Sequence, residues 1–348
     1  MAKTPKLSKD PVAAYRDFMS GHKAMELMSM TDDESWSTVP GYISTQSIGM
    51  NKVLGAPGYP MGRVVEISGL EHAGKSTLLD HAFSEVQSMG GIAILLDPEV
   101  GRDSKYSRSI GVDVDKIQCP QPKTGGYFSI QSAFNYIGSS IDFFKKEFPE
   151  TPILIGIDSL AGMPTEEDLE RDAGSAKPGD AAKTIRHALR NIVQRLARSK
   201  ITLISVNQLY SRIGVTFGSP YIEAGGKGMA YHASVRLRVS KKGTIKDRTG
   251  AVAGQVTGVK VNKTKISGKT GSEVDIGILH GRGIDNTYTL FETLKSHKFI
   301  LQKGAWAELV HPETGEVIKF QGQHWGMADL FDKDAELYPK LVDVYNAI

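Results

Sequence analysis

Residues 69–77 read Gly69-Leu70-Glu71-His72-Ala73-Gly74-Lys75-Ser76-Thr77, and they directly follow the apolar run Val64-Val65-Glu66-Ile67. A strand, a tight glycine loop and a helix start in this order are typical of a phosphate-binding loop. Two glycines let the backbone N–H groups converge on phosphate oxygens, and the helix N-terminus favours the same anion. Lys75 is placed to bridge the outer phosphates, and the Ser76 hydroxyl suits Mg²⁺. A plain glycine turn is the alternative, but the complete pattern indicates nucleotide binding by residues 69–77.

Length, charge and cysteine content narrow the class of protein. A chain of 348 residues suits one large α/β domain with a smaller appendage, since single cores rarely exceed about 250–300 residues. The one cysteine, Cys119, cannot form an internal disulfide, and the sequence contains no apolar signal or membrane-spanning segment. We therefore expect a reduced, cytoplasmic protein without a membrane partner. The formal charge of +3 is too weak to indicate nucleic acid by itself.

Short β-branched runs alternate with helical segments from about residue 62 to about residue 281. The predicted strands are residues 64–67, 92–96, 152–157, 201–206, 235–239, 259–262 and 274–279. Because the central runs are apolar throughout, they indicate a largely parallel sheet with helices on both faces. Residues 1–40 suggest one or two helices that form a packing arm or an oligomer contact. Residues 282–348 suggest a small α+β domain, so the predicted domains are 1–40, 41–281 and 282–348.

Two acidic residues follow buried strands, at the edge where ligands bind in open α/β sheets. Asp158 ends the run Ile153-Leu154-Ile155-Gly156-Ile157, and we expect it to help hold the water shell of a metal ion. A helix or loop cap is the alternative for this residue. Glu99 follows another buried strand and could orient the water that attacks a γ-phosphate. Its position is equally suited to an acid at a helix start, favoured by the helix dipole.

Basic and aromatic residues occur in segments that lack a core pattern. Residues 209–227 are rich in glycine and hold Arg212, Phe217 and Lys227. Cations and an aromatic ring in such a segment suit a nucleic-acid backbone and insertion between bases, with an ordinary surface loop as the alternative. Two further sets of basic residues could contact DNA. Lys183, Arg186 and Arg190 recur at helical spacing, with a solvated helix face as the alternative. Lys241, Lys242, Lys246 and Lys260 form the second set, with a strand edge protected against aggregation as the alternative.

The most specific stretch reads Asn207-Gln208-Leu209-Tyr210-Ser211-Arg212-Ile213-Gly214-Val215-Thr216-Phe217-Gly218-Ser219-Pro220. It is followed by Gly225-Gly226 and Tyr231-His232-Ala233-Ser234-Val235-Arg236-Leu237. With Pro60-Met61-Gly62-Arg63 and Gly304-Ala305-Trp306, these motifs make the chain resemble the bacterial RecA recombinases and their phage-encoded relatives over nearly its whole length. The resemblance implies an α/β fold with a RecA-like P-loop ATPase core, a mostly parallel central sheet, a short N-terminal oligomerisation segment and a small α+β C-terminal domain.

The activity implied by the resemblance is that of a DNA-dependent ATPase using ATP and Mg²⁺. Such a protein coats single-stranded DNA as a helical filament, pairs it with homologous double-stranded DNA and exchanges strands. Single-strand-binding protein and loading mediators are possible further partners. Two alternatives stay open: a hexameric helicase motor, which normally supplies an arginine finger, and an ATP-gated DNA-binding scaffold or mediator without strand exchange.

Individual residues match functional positions of the family. Glu99 falls at the hydrolytic glutamate, Gln208 at the glutamine that senses the γ-phosphate, and Asp103 with Tyr106 at the contacts to adenine. The positions implied for DNA contact are Lys177, Lys183, Arg186, Arg190, Arg212, Ile213, Gly214, Phe217, Gly225, Gly226 and Lys227. Residues 161–180 and 209–227 correspond to the two DNA loops of the family.

Lys263 and Lys265 match a lysine pair that reaches the ATP of a neighbouring subunit. This match implies that ATP is a ligand of the subunit interface, so that nucleotide binding stabilises a head-to-tail filament and hydrolysis loosens it.

Several positions depart from the family pattern. Tyr210, Ser211 and Thr216 stand where a basic residue and methionines are usual, Pro178 replaces a methionine, and His72 replaces a small hydroxyl residue. The acidic tail of cellular members is also missing, which we expect to give DNA freer access to the basic residues. These departures suggest a divergent member, of either bacterial or phage origin.

Overall fold

The computed structural model describes residues 10–20, 28–30, 35, 37–123, 126–170, 179–211, 221–223 and 226–348. The helices are α1 (Pro11–Met19), α2 (Ile48–Leu54), α3 (Lys75–Ser88), α4 (Ser104–Ser109), α5 (Ile130–Glu147), α6 (Glu166–Glu170), α7 (Asp180–Leu196), α8 (Gly228–His232), α9 (Asn286–Ser296), α10 (Gln323–Lys333) and α11 (Leu337–Ala347). The strands are β1 (Tyr42–Ile43), β2 (Tyr59–Pro60), β3 (Val64–Gly69), β4 (Ile92–Leu96), β5 (Ile153–Ile157), β6 (Ile201–Ser211), β7 (Tyr221–Glu223), β8 (Val235–Lys246), β9 (Val252–Thr264), β10 (Glu273–Leu279), β11 (Gly283–Asp285), β12 (Ile300–Lys303), β13 (Trp306–Val310) and β14 (Val317–Gln321).

One large sheet carries the predicted parallel strands. β8, β3, β6, β5 and β4 lie side by side in this order, and each neighbouring pair is parallel. β9, β10 and β11 extend the sheet beyond β8 as antiparallel strands. The predicted α/β fold with a mostly parallel central sheet is confirmed. The antiparallel edge was not foreseen. It arises because the short turn between β8 and β9 is too small for the crossover that a parallel pair needs.

Apolar layers cover both faces of this sheet. Val65 and Ile67 of β3 pack on one face with Leu78 of α3, whereas Val64 packs on the other face with residues of α5 and α7. Alternate residues of a strand point to opposite faces, so a strand buried on both faces must be apolar throughout. The uninterrupted apolar runs in the sequence have this cause.

The C-terminal residues form a separate apolar cluster. β12, β13 and β14 make a small antiparallel sheet, and α9, α10 and α11 pack with it around Phe291 and Tyr345. The predicted α+β character of this region is confirmed, with β12 as a strand that had not been predicted. The boundaries of the three domains stay predictions.

The N-terminal helix α1 begins with a well-formed cap. Asp10 accepts a hydrogen bond from the Val12 backbone N–H at 3.1 Å, and Pro11 occupies the first turn. Among the described helices, none combines the length and apolar character that spanning a bilayer requires.

Candidate nucleotide site and nucleic-acid surface

The phosphate loop joins β3 to α3, as predicted. Gly74 precedes the first residue of α3 with a φ of 93°, in the left-handed region that favours glycine. A Cβ atom on Gly74 would lie 2.7 Å from Cδ1 of Ile278, and one on Gly69 would lie 2.6 Å from the carbonyl oxygen of Val239. Both glycines therefore allow neighbouring strands to approach the loop.

Lys75 lies at the start of α3 and is almost fully buried. Its Nζ donates a hydrogen bond to the carbonyl oxygen of Leu70 at 2.7 Å, which holds the ammonium over the loop. Burial lowers the pKa of Lys75, and the carboxylates of Asp158, Glu71 and Glu99 oppose that change. An ammonium with so little solvation gains strongly from an anionic ligand such as a phosphate group.

Two cavities adjoin at Ser76 and Tyr106. One, of about 300 Å³, is lined by residues 72–77 of the phosphate loop, and the other, of about 250 Å³, is lined by acidic side chains. Those acidic residues are Asp80, Asp97, Glu99, Asp103 and Asp158. The Tyr106 hydroxyl lies 3.0 Å from Oγ1 of Thr77, so α4 is fixed against α3. The structure thus brings the predicted phosphate, adenine and carboxylate positions to one place.

Glu99 meets residues from the ends of β5 and β6. Its Oε1 accepts a hydrogen bond from Nε2 of Gln208 at 3.2 Å and another from the hydroxyl of Ser159. The two residues predicted to act on the γ-phosphate are therefore in direct contact. The sequence interpretation did not single out Ser159, although it directly follows Asp158.

Asp158 forms an ion pair with an arginine that the sequence interpretation also missed. Nη2 of Arg102 lies 2.9 Å from Oδ2 of Asp158, and its Nη1 pairs with Asp80. Burial raises the pKa of Asp80, while Arg102 and the Ser107 hydroxyl oppose the shift. Asp80 is buried on α3, and in sequence it lies between the apolar pairs Leu78-Leu79 and Ala82-Phe83. A buried carboxylate requires a partner of opposite charge. An acidic residue within an apolar stretch of helix was therefore the feature of the sequence that indicated an ion pair.

The oxygen donors here fit Mg²⁺. Ser76 and Asp158 line the same cavity as Asp80 and Asp97. In the described part of the chain, no cluster of three or more His, Cys, Asp or Glu side chains could hold a metal ion. Mg²⁺ commonly takes one or two carboxylates and keeps water and phosphate oxygens as its other ligands, so an open donor set suits it.

Lys263 and Lys265 lie away from the phosphate loop of their own chain. Thr257 of β9 contacts that loop, donating a hydrogen bond to the Ala73 carbonyl at 3.3 Å. Six residues further along the same strand is Lys263, about 20 Å away at about 3.3 Å per residue. Nζ of Lys263 donates to the carbonyl oxygens of Ala230 and Tyr231 at 2.7 and 3.1 Å. The lysine pair therefore cannot reach the nucleotide site of the same protomer.

The lysine pair shares a surface with two of the predicted DNA contacts. The pKa of His232 is lowered by partial burial and then by Lys265, Lys263, Arg190 and Arg186, so these four cations lie close to it. Arg186 and Arg190 are exposed on α7. Cations of α7 and of the end of β9 are thus brought near one residue, His232 of α8.

The other predicted DNA contacts fall into two groups. Lys183 and Lys227 are exposed, and Gly226 packs so closely that a Cβ atom there would lie 2.9 Å from Cβ of Ala182. Lys177, Arg212, Ile213, Gly214, Phe217 and Gly225 lie outside the described residues.

Within the first predicted DNA loop, residues 161–180, residues 166–170 form α6. Lys241, Lys242, Lys246 and Lys260 are exposed along β8 and β9. The DNA role of all these residues stays a prediction.

Comparison with known proteins agrees with this geometry. The family model for the RecA N-terminal domain matches residues 18–285. Protein RecA of Leifsonia xyli subsp. xyli is 38% identical over 275 residues, which cover 79% of this chain and 73% of that protein. The corresponding protein of Clavibacter michiganensis subsp. michiganensis is 37% identical over 265 residues, covering 76% and 69%. That of Mycolicibacterium smegmatis is 38% identical over 275 residues, covering 79% and 75%. These relatives are bacterial, so the phage origin stays a prediction. The chain belongs to the RecA family.

Proposed function

We propose that adjacent protomers of this protein share one ATP molecule, so that ATP binding and DNA binding form one coupled equilibrium. As a RecA-family member, the protein is a DNA-dependent ATPase that forms filaments on single-stranded DNA and catalyses homologous pairing and strand exchange. The observation that supports the shared site is the distance of about 20 Å along β9 between Lys263 and the chain's own phosphate loop. A head-to-tail neighbour would place its triphosphate against these lysines.

In this proposal, each residue of the site has one task. Lys75 binds the outer phosphates, and Asp103 with Tyr106 holds the adenine. Glu99, oriented by Gln208 and Ser159, accepts the proton of the water that attacks the γ-phosphorus as its bond to the β-phosphate oxygen breaks. Ser76 and Asp158 would hold Mg²⁺, which when bound offsets the negative charge of the phosphates. Lys263 and Lys265 of the neighbour stabilise the charge of the transition state.

DNA contact is proposed for the two loops and the basic surface beside them. Lys183, Arg186, Arg190 and Lys227 are exposed on α7 and at the start of α8, next to the predicted loops. Lysine and arginine side chains in such a place bind phosphates without reading bases, so base pairing itself would supply sequence recognition. Single-strand-binding protein and loading mediators are proposed partners, and the cytoplasm is the proposed compartment.

The direct test combines ATP hydrolysis with imaging and strand pairing. We expect single-stranded DNA to raise the hydrolysis rate, open filaments to form with Mg·ATP, and joint molecules to form only with homologous double-stranded DNA. Closed rings would instead support a helicase motor. DNA binding without joint molecules would support a scaffold. A protein that stays monomeric with Mg·ATP and an oligonucleotide would contradict the shared site.

ATP-dependent filament assembly is expected to weaken as the pH rises through about 8. Burial, followed by the charges of Lys265 and Arg236, lowers the pKa of Lys263 to about 8. Its ammonium is thus present below this pH and is lost above it. At about pH 9 only about a tenth of the side chains stay charged, so apparent ATP affinity in sedimented filaments should fall about tenfold from its value near pH 7.

Lys263→Arg provides the control for this pH effect, because a guanidinium stays protonated throughout the range. We expect the variant to assemble equally well at both pH values. The same pH profile in the variant and the wild type would assign the effect to another group.

A further inference from the structure

A row of polar side chains crosses one face of the central sheet on four adjacent strands. Lys263 of β9 is paired in register with Arg236 of β8, and Arg236 with Glu66 of β3. Nε of Arg236 donates to Oε2 of Glu66 at 2.6 Å, and Nδ2 of Asn207 on β6 donates to Oε1 of Glu66 at 2.9 Å. The Glu66 side chain is fully buried. The row therefore links Lys263 to the residue directly before Gln208.

Glu223 connects this row to β7, a short strand within the second predicted DNA loop. It is the last residue of β7 and lies opposite Leu209 of β6. Its carboxylate lies 2.6 Å from Nη2 of Arg236 and accepts a hydrogen bond from Nη2 of Arg238 at 3.3 Å. β7 has only three residues and pairs with β6, and these side-chain contacts join it to β8.

Arg236 contacts two carboxylates and lies beside a second cation. Glu66 contacts its Nε and Glu223 its Nη2, while Lys263 lies beside it on β9. Charges in a partly buried row act on one another more strongly than in water. We therefore expect a change of charge at Lys263 to change how strongly Arg236 attracts Glu223, the last residue of β7.

We propose that Glu223 is a positioning residue that couples the nucleotide bound at Lys263 to the second DNA loop through the shared Arg236. This inference rests on the proposed function, in which Lys263 faces the neighbour's triphosphate and the loop faces DNA. Glu223 suits a test better than Glu66 or Arg236. Its removal leaves Glu66 and Arg236 paired with each other, so the fully buried Glu66 keeps its partner. Arg238, which is partly exposed, loses its contact with Glu223.

The test measures the affinity of Glu223→Gln for single-stranded DNA with and without a non-hydrolysable ATP analogue. In the wild type we expect the analogue to tighten DNA binding about 5- to 150-fold, the usual range for coupled sites. In Glu223→Gln this ratio should fall to near one. Coupling of binding free energies is reciprocal, so the effect of DNA on analogue affinity must fall by the same factor. A purely structural role would lower the melting temperature without abolishing both ratios.

Glu150→Gln is the matched control, because it removes the same charge from an exposed pair with Lys200 at 2.8 Å. This variant should keep the wild-type ratio. A normal ratio in Glu223→Gln, or an equal loss in Glu150→Gln, would overturn the role of Glu223. If the ATP analogue did not change the affinity of the wild type for single-stranded DNA, that result would instead contradict the proposed function itself.

Discussion

Replacing Glu99 with glutamine is expected to lower DNA-dependent ATP hydrolysis about 10²- to 10⁴-fold, the usual contribution of a general base. The amide can no longer take a proton from the attacking water. Its carbonyl oxygen can still accept the hydrogen bonds that Gln208 and Ser159 now donate to Oε1. The geometry of the site should therefore survive, and kcat should fall with little change in the affinity for ATP.

Because hydrolysis loosens the filament in our proposal, Glu99→Gln filaments should also persist once assembled with ATP. Steady-state kinetics and filament imaging measure the two effects. Glu313→Gln, which removes an exposed carboxylate paired with Lys340 at 2.7 Å, serves as the control and should behave as the wild type. Hydrolysis at the normal rate in Glu99→Gln would exclude Glu99 as the base.

Replacing Lys263 with alanine is expected to remove DNA-stimulated hydrolysis while leaving the monomer folded. Loss of one preorganised donor to the transition state typically costs about 10²- to 10³-fold in kcat. The side chain is half-buried, and its Nζ donates to two carbonyls of α8, so circular dichroism and thermal unfolding should stay close to the wild type. Lys319→Ala, at an exposed lysine, is the matched control.

A mixture of two inactive variants tests whether Lys263 acts on the neighbour. Lys263→Ala keeps its own phosphate loop, whereas Lys75→Ala keeps the lysine pair. In a random equal mixture, about a quarter of the head-to-tail junctions combine the intact loop of one variant with the intact lysines of the other. Mixed filaments, verified by co-sedimentation, should recover up to about that fraction of wild-type hydrolysis. No recovery in verified mixed filaments would rule out a site shared between protomers.

The phosphate loop could be predicted from sequence because the residues that define it lie in one short stretch of the chain. Residues 69–77 contain the glycines, the lysine and the hydroxyl in one stretch, and the strand before them is buried on both faces. The ion pairs of Arg102 could not be predicted in the same way. Its partners Asp80 and Asp158 are 22 and 56 residues away in the chain, and only the packing of α3 against the ends of β4 and β5 brings them together.

The position of the lysine pair also depends on information that the local sequence lacks. Residues 259–262 were correctly predicted as a strand. A pattern of four residues, however, defines neither the direction of the strand in the sheet nor its full length. β9 is 13 residues long and antiparallel to β8. That direction places Thr257 at the phosphate loop and Lys263 far from it. The roles of these residues in catalysis and DNA binding stay predictions.

In the proposed assembly, β9 therefore contributes to two successive nucleotide sites, to one through Thr257 and to the next through Lys263. Thr257 supports the phosphate loop of its own protomer, and Lys263 would complete the next site. A strand held between two others in a sheet is stiff, so the spacing between consecutive ATP molecules is set by a fixed number of peptide units. A single inserted residue between them would turn Lys263 to the opposite face of the sheet, interrupting polymer growth while both catalytic pockets stay intact.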